Sequence, residues 1–317
     1  MKSIKAKKSR KFNGKTLIVT LDVGKHFHFG YFRAPNGTEV EPFKLYNTKK
    51  SFNGFWRKAL QFAKAQGLEH IVVGFESTGP YAEPLCHFLN DKPVQLVQIN
   101  PMHTKRVKEL TGNSPQKTDR KDPRVIADVI ALGHSLTVVI PKQASAELRR
   151  LSHGRQRAIK KRTAAVNQLR DLVFLLFPEF STIIKDVACQ SAFYLLRHYP
   201  RPEDVVAANA QLLIQAVRTV SRGRIGAEHV QRLIDAARRS VGISQGTESI
   251  VLELQQLIRE IQFHDQFIGH LKEQMQHNLE QIPYSDLILS IRGIGVVTVA
   301  GLIGEVGDFR QFETIAE

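Results

Sequence analysis

The chain has 317 residues, 42% of them hydrophobic, which is room for about two domains with substantial cores. Forty-five Lys and Arg against 30 Asp and Glu leave a net charge of +15, so polyanions are the favoured partners: nucleic acid first, an anionic membrane surface a weaker second. No run approaches the ~18 consecutive apolar residues of a spanning helix, and the basic N-terminus M-K-S-I-K-A-K-K-S-R-K lacks the apolar segment of a secretory signal, so a cytoplasmic protein with no membrane partner is expected.

Residues 1–13 read as a flexible basic tail. From Thr16 the apolar run L-I-V-T-L-D, ending on Asp22, predicts a buried strand. F-H-F-G-Y-F-R (27–33) with the turn A-P-N-G predicts a hairpin, and E-V-E-P-F-K-L-Y (39–46) a third strand whose Pro42 favours an edge. Phe52, Phe55, Trp56, Ala59, Leu60 and Ala63 recur at helical spacing before Gly67. H-I-V-V-G-F-E (70–76) predicts a second buried strand, 81–89 a short helix and P-V-Q-L-V-Q-I-N (93–100) another strand. A basic loop punctuated by Gly and Pro then leads to a helix starting near Asp122 or Pro123. Three strands followed by alternating helices and strands predict an α/β domain over 14–142, its mixed sheet covered on both faces.

After about residue 143 the pattern turns helical. Leu148, Leu151, Arg155, Ala158, Arg162, Ala165, Leu169, Leu172 and Leu176 form one seam in steps of three and four. Ile250, Leu254, Leu257, Ile261, His264, Ile268, Leu271 and Met275 form a second. Both suit a coiled coil or long helical hairpin serving packing or oligomerisation. The second helix, over 247–281, is about 50 Å long at 1.5 Å per residue. Shorter helical segments at 186–197, 203–220 and 226–241 complete a helical region spanning 143–284. The two lone cysteines, Cys86 and Cys189, have neither metal-binding nor redox spacing, and the 12 histidines form no ligand cluster.

Two predicted strands end on acids, Asp22 in L-D-V-G-K and Glu76 in G-F-E-S-T-G-P-Y. In open α/β sheets functional groups gather beyond the carboxyl ends of the strands. Two further acids, Asp119 and Asp122, stand three residues apart in Q-K-T-D-R-K-D-P-R, at a helix start. Four converging carboxylates repel one another unless cations lie between them, and an all-oxygen site suits Mg2+ or Mn2+. Two such ions can activate a nucleophile and stabilise the leaving oxygen of a phosphodiester. Each acid also has a plainer reading: Asp22 as a turn residue, Glu76 as a surface acid, Asp122 as the N-cap of a helix with Pro123 at its first position.

Cations surround these acids. Lys105, Arg106, Lys117, Arg120 and Lys121 flank the acid cluster and could position a nucleic-acid backbone. R-R-L-S-H-G-R-Q-R-A-I-K-K-R (149–162) is the densest cationic helix, carrying Arg149, Arg150, Arg155, Arg157, Lys160, Lys161 and Arg162. Arg155 and Arg162 fall on the apolar seam, which favours a phosphate or a subunit contact over a merely solvated face. I-R-G-I-G-V-V-T-V-A reads as a helix-hairpin-helix-like turn, with Gly293 and Gly295 letting a backbone approach the next helix's N–H groups. A tight turn between packed helices is the other reading.

Taken together, L-D-V-G-K, F-E-S-T-G-P-Y, I-N-P at 99–101, K-T-D-R-K-D and I-R-G-I-G-V-V-T-V-A-G-L-I-G-E-V-G-D-F-R-Q-F (291–312) resemble a known family in its own order. These are the insertion-sequence transposases with a RuvC-like DEDD domain, related to the Piv-type DNA invertases and known as bridge-RNA-guided recombinases. The resemblance implies that Asp22, Glu76, Asp119 and Asp122 are the catalytic tetrad binding Mg2+ (or Mn2+). It implies an RNase H-like (RuvC-like) mixed sheet, a coiled coil joining subunits into a dimer or tetramer, and, over 285–317, the start of a small helical C-terminal transposase domain. The implied activity is DNA cutting and rejoining guided by a structured RNA.

Two features depart from the pattern. Pro123 stands where the family usually has alanine, and proline disfavours helical geometry at the residue before it, so Asp122 is expected to cap the helix with Asp119 just outside. The family's nucleophilic serine lies in a Ser-Gly segment downstream of the region ending here at Phe312, and no serine in this sequence takes that role by motif. The expectation is nucleic-acid and metal binding without a covalent protein–DNA intermediate. Two other readings stay open: a Mg2+-dependent nuclease or junction resolvase in which water attacks directly, and a non-catalytic nucleic-acid scaffold.

Overall fold

The structure, a computed structural model, describes residues 14–76, 79–111 and 122–311, with the backbone alone at 110, 111, 122 and 311. The described residues fall into two compact units, one comprising those up to Lys142 with those from Val306 on, the other Gln143–Glu305.

In the first unit, β1 (Thr16–Asp22), β2 (Phe27–Arg33) and β3 (Glu39–Tyr46) run antiparallel in sequence. Helix α1 (Lys49–Ala65) then carries the chain across to β4 (His70–Glu76), parallel to β1. Thr48 starts α1 by accepting the Ser51 N–H at 3.2 Å, and Phe52, Phe55, Trp56, Ala59 and Ala63 form its buried stripe. A 3-10 turn and α2 (Glu83–Asn90) lead to β5 (Gln95–Ile99), parallel to β4.

The basic segment after β5 is a helix where the sequence predicts a loop: α3 spans Pro101–Thr111. Asn100 Oδ1 accepts the Met102 N–H at 2.9 Å and Pro101 takes the first position, a start signal present in the sequence as N-P. Helix α4 (Asp122–Ala131) follows the residues outside the description, and the short β6 (Leu136–Thr137) pairs antiparallel with β5.

The mixed six-stranded sheet has the order β3-β2-β1-β4-β5-β6. Alternation divides each central strand between two cores. Leu17, Val19 and Leu21 of β1 face α1 and α2 in one. Val72, Val97 and Ile99 face Ile126, Val129 and Ile130 of α4 in the other. Strands buried on both faces read as near-continuous apolar runs, which is what 17–21, broken only by Thr20, and 71–75 show.

The second unit is helical. Helix α5 (Gln143–Leu176) is followed by α6 (Phe180–Ile183), α7 (Gln190–His198), α8 (Pro202–Ala207), α9 (Ala210–Val220) and α10 (Ala227–Ala237). Next come α11 (Thr247–Leu279), α12 (Ser285–Leu289) and α13 (Val296–Val306). Helices α5 and α11 lie antiparallel: Gly154 sits beside Leu271, while Arg162, further along α5, bonds Asp265, further back along α11. At the other end of the pair, Leu169, Val173, Leu176, Leu254 and Leu257 join Phe180, Phe193, Leu213, Val230 and Leu233 in one core.

Candidate functional site

The acid end of the sheet is built by strand register. Residues 16 to 21 of β1 pair in order with 70 to 75 of β4, so Asp22 and Glu76 stand one step beyond the pair Leu21–Phe75. Adjacent strands are about 4.8 Å apart, so the two residues are neighbours on one face. Glu76 pairs with Ile99, Asp22 with Phe29 and Phe29 with Lys44, which makes Ile99, Glu76, Asp22, Phe29 and Lys44 a continuous row across the carboxyl end of the parallel strands. Ile99 belongs to the core under α4, and register places the whole row on that face.

Helix α4 is fixed against this face near Asp22. Buried Thr20, two residues before Asp22 and on its side of β1, donates from Oγ1 to the Pro123 carbonyl at 2.6 Å. The first turn of α4, with Asp122 as its first residue, therefore rests beside the end of β1. Gly74 permits the close approach: a Cβ there would lie 2.3 Å from Ile130 Cδ1 and 3.0 Å from Val97 Cγ2. Ions hold the outer flank, with Arg33 donating to Asp128 and to Tyr31 Oη, and Arg124 donating to Glu41 at 2.7 Å. Burial, then a hydrogen bond with Glu39, pushes the Tyr31 phenol up to about 12. The same bond, with Arg33 and Arg124 nearby, holds Glu39 below the usual carboxylate range.

The turn after Asp22 is equally constrained. A Cβ on Gly24 would lie 2.5 Å from the Phe27 carbonyl oxygen. Its N–H donates to Nδ1 of fully buried His28 at 3.2 Å, and burial lowers the pKa of that imidazole, with Asn47 acting in the opposite direction. These supporting residues were not singled out in the sequence. Gly inside a strand pattern is the signal for close backbone approach at position 74, and period-two alternation points to Thr20 as the partner of Asp22 on its face.

Of the four predicted acids, the structure brings Asp22 and Glu76 together; Asp119 and the Asp122 side chain lie outside the description, as do Lys117, Arg120 and Lys121. Paired carboxylates at a strand end offer the hard oxygen donors that Mg2+ or Mn2+ takes, so these two residues fit such an ion. Among the described residues alone, no three His, Cys, Asp or Glu side chains form a metal-holding group.

The predicted cations divide by what they touch. Lys105 and Arg106 are exposed on α3, which begins just beyond the carboxyl end of β5. On α5, Arg157, Lys160 and Lys161 are exposed, and Arg150 also lies on the surface. Arg149 closes the end of α13 instead, donating to the carbonyls of Gly304 and Glu305 at 2.9 Å each. Arg162 is bonded to Asp265, and Arg155 is half-buried with Nε lacking a hydrogen-bond partner. Gly293 and Gly295 are exposed in the turn between α12 and α13, with nothing within 4 Å of a Cβ placed on either. Gly293 has φ +89°, a conformation that favours glycine, and Gly295 accepts at its carbonyl the N–H groups of Thr298 and Val299.

Comparison with known proteins gives this geometry its context. A Streptomyces coelicolor protein described as an uncharacterized 43.6 kDa protein of insertion element IS110 is 26% identical over 304 residues, covering 95% of this chain and 73% of that protein. No helix among the described residues is long and apolar enough to cross a membrane. The family model for DEDD transposases of the IS110 type, described as transposase, matches residues 19–178, from β1 through α5, and the chain belongs to that family.

Proposed function

We propose that this protein acts as a transposase that cuts DNA for a mobile insertion element, using an RNase H-like sheet, a divalent cation and a structured guide RNA. The observation that carries the reading is the meeting of Asp22 and Glu76 at neighbouring strand ends, with the start of α4 held there by Thr20. Asp119 and Asp122 complete the proposed tetrad, and the family match over 19–178 supports it. Mg2+ or Mn2+ held by these carboxylates would polarise the phosphodiester oxygens. The chain's own part is to fix the acids on rigid elements and to hold the backbone electrostatically through exposed Lys105 and Arg106, with Lys117, Arg120 and Lys121 proposed to act alongside.

The helical unit is proposed to join subunits into a dimer or tetramer. Phe263 and Phe267 of α11 support this: both are exposed and stack on one another with centroids 6.4 Å apart and planes at 14°. The cationic face of α5 and the glycine turn before α13 are proposed to contact RNA or DNA phosphates.

One preparation tests the reading: the protein purified from cells expressing the whole element, beside an Asp22→Asn/Glu76→Gln variant. Wild type should carry a defined RNA, run as a multiple of the chain mass in light scattering, and cleave element-end DNA only with Mg2+ or Mn2+. The variant should keep the RNA and the mass but lose cleavage by several orders of magnitude. Cleavage by the variant at the wild-type rate refutes the acid site; a nucleic-acid-free preparation refutes guidance; a monomer refutes the assembly.

A further inference from the structure

The sheet row that carries Asp22 continues outward into aromatic and cationic residues that the acid site does not use. Phe29 pairs with Asp22, Lys44 pairs with Phe29, and Phe27 pairs with Tyr46 one row further out. Phe27 packs edge-on against Phe29, with centroids 5.4 Å apart and planes at 87°, and against Tyr46 at 6.0 Å and 62°. Lys44 Nζ stands 4.5 Å from the Phe27 centroid. Tyr46 is 52% exposed, and Phe27 and Phe29 are half-buried. Neither phenylalanine is among the side chains of the two apolar cores of this unit.

Among the described residues, the rings are open because of where α4 begins. Its first turn lies at the level of Thr20, which pairs with Tyr31, and Arg124 of that turn stands over the Tyr31 ring at 5.7 Å. Tyr31 is fully buried as a result. Phe29 and Phe27 lie two and four residues nearer the open end, beyond the helix start.

On the side of the rings away from Asp22, charge has one sign. Residues 42–68 contain Lys44, Lys49, Lys50, Arg57, Lys58 and Lys64 and not one Asp or Glu. A groove of about 430 Å³ runs from Lys44 and Tyr46 around the edge of β3 to Lys50, Arg57 and Lys58, the last two on α1 on the other face of the sheet. Partly exposed rings with Lys44 among them, and further cations around the edge of β3, suit an unpaired strand, with faces for bases and cations for phosphates.

We infer that Phe27, Phe29 and Tyr46, with Lys44, form a stacking platform for unpaired bases of the DNA strand whose backbone passes Asp22. Lys44 is two strands from Asp22 in the same row, about 10 Å at the usual strand spacing, a span that one extended strand crosses within a couple of nucleotides. This occupant rests on the DNA-cutting reading above. The cationic track without acids favours a polyanion over a protein segment, and the position in the row of Asp22 favours the strand being cut over any other nucleic acid.

The test is equilibrium binding of single-stranded oligodeoxythymidylate carrying 2-aminopurine bases, in EDTA so that no cleavage occurs. Binding should quench the 2-aminopurine, as stacking does. Tyr46→Ala, an exposed position with little risk to folding, should remove most of the quench and weaken binding about tenfold, while Tyr46→Phe restores both. Lys44→Ala should weaken binding while leaving the quench at saturation, and abasic sites in place of the reporter bases should weaken binding to wild type more than to Tyr46→Ala. An unchanged quench in both Tyr46→Ala and Phe29→Leu, or equal binding of the abasic strand, overturns the platform. RNA of the same sequence that binds and quenches as strongly overturns the assignment to DNA. Asp22→Asn should quench at saturation like wild type while losing cleavage once Mg2+ is supplied, so loss of cleavage and loss of stacking are separate results.

Discussion

His28 is fully buried in β2, and its Nδ1 accepts the Gly24 N–H two residues beyond Asp22, so the bond exists only while that nitrogen is unprotonated. Burial is the main cause of its lowered pKa, which means the folded state resists the proton more than the unfolded chain with its value near 6.5. The sign follows from linkage: where the unfolded state binds more protons, stability rises with pH. The His28 contribution is complete above about pH 6.5 and is lost as pH falls from there through the folded-state value. His28→Asn keeps an acceptor near Gly24 but does not titrate. The fall in thermal midpoint between about pH 7.5 and 5.5 should therefore be smaller in the variant than in wild type. Parallel curves for the two proteins would show that other groups set the acid sensitivity.

At the scale of elements, the close seat of α4 on β4 decides whether Asp122 starts beside Asp22, and Gly74 makes that seat possible. Gly74→Val puts branched carbons where Ile130 and Val97 already stand, and overpacking of this kind typically costs about 1–3 kcal/mol. The expected outcome is a lower denaturant midpoint with an unchanged slope, and faster amide exchange in α4 than in α1, which lies on the other face of the sheet. Equal exchange in both helices would mean that the sheet absorbs the added carbons. The need for glycine was legible as a lone Gly in V-V-G-F, and the strands were legible because central parallel strands are apolar on both faces. Helix α3 was not: among its described side chains Val107 faces inward with Thr104 beside it, and charged residues interrupt any apolar period in P-M-H-T-K-R-V-K-E-L-T. The run 203–220 read as one helix but is two, broken at Ala208, after which Asn209 accepts the N–H groups of Gln211 and Leu212. Spacing of apolar residues passes through such a break; the capping side chain marks it.

For the whole molecule, a net charge of +15 means that binding of a polyanion releases counterions, but only cations that reach phosphate contribute to that release. Composition counts every Lys and Arg alike, whereas the structure separates them. Arg149 is bonded to the last carbonyls of α13 and Arg162 to Asp265, while Arg157, Lys160 and Lys161 are exposed on the same helix. The linear sequence R-R-L-S-H-G-R-Q-R-A-I-K-K-R holds no trace of this division, because the partners of Arg149 and Arg162 are more than a hundred residues away. Two kinds of variant should therefore behave differently. Removing Lys160 and Lys161 together should leave the thermal midpoint nearly unchanged and flatten the plot of log affinity against log salt by about one unit per cation. Arg149→Ala should leave the salt slope as it is and lower the midpoint, since the carbonyl of buried Gly304 loses its partner, a loss that costs about 1 kcal/mol or more. The reverse pattern, a flattened slope from Arg149→Ala and none from the lysines, would place the nucleic acid against the end of α13 instead of along the exposed face of α5.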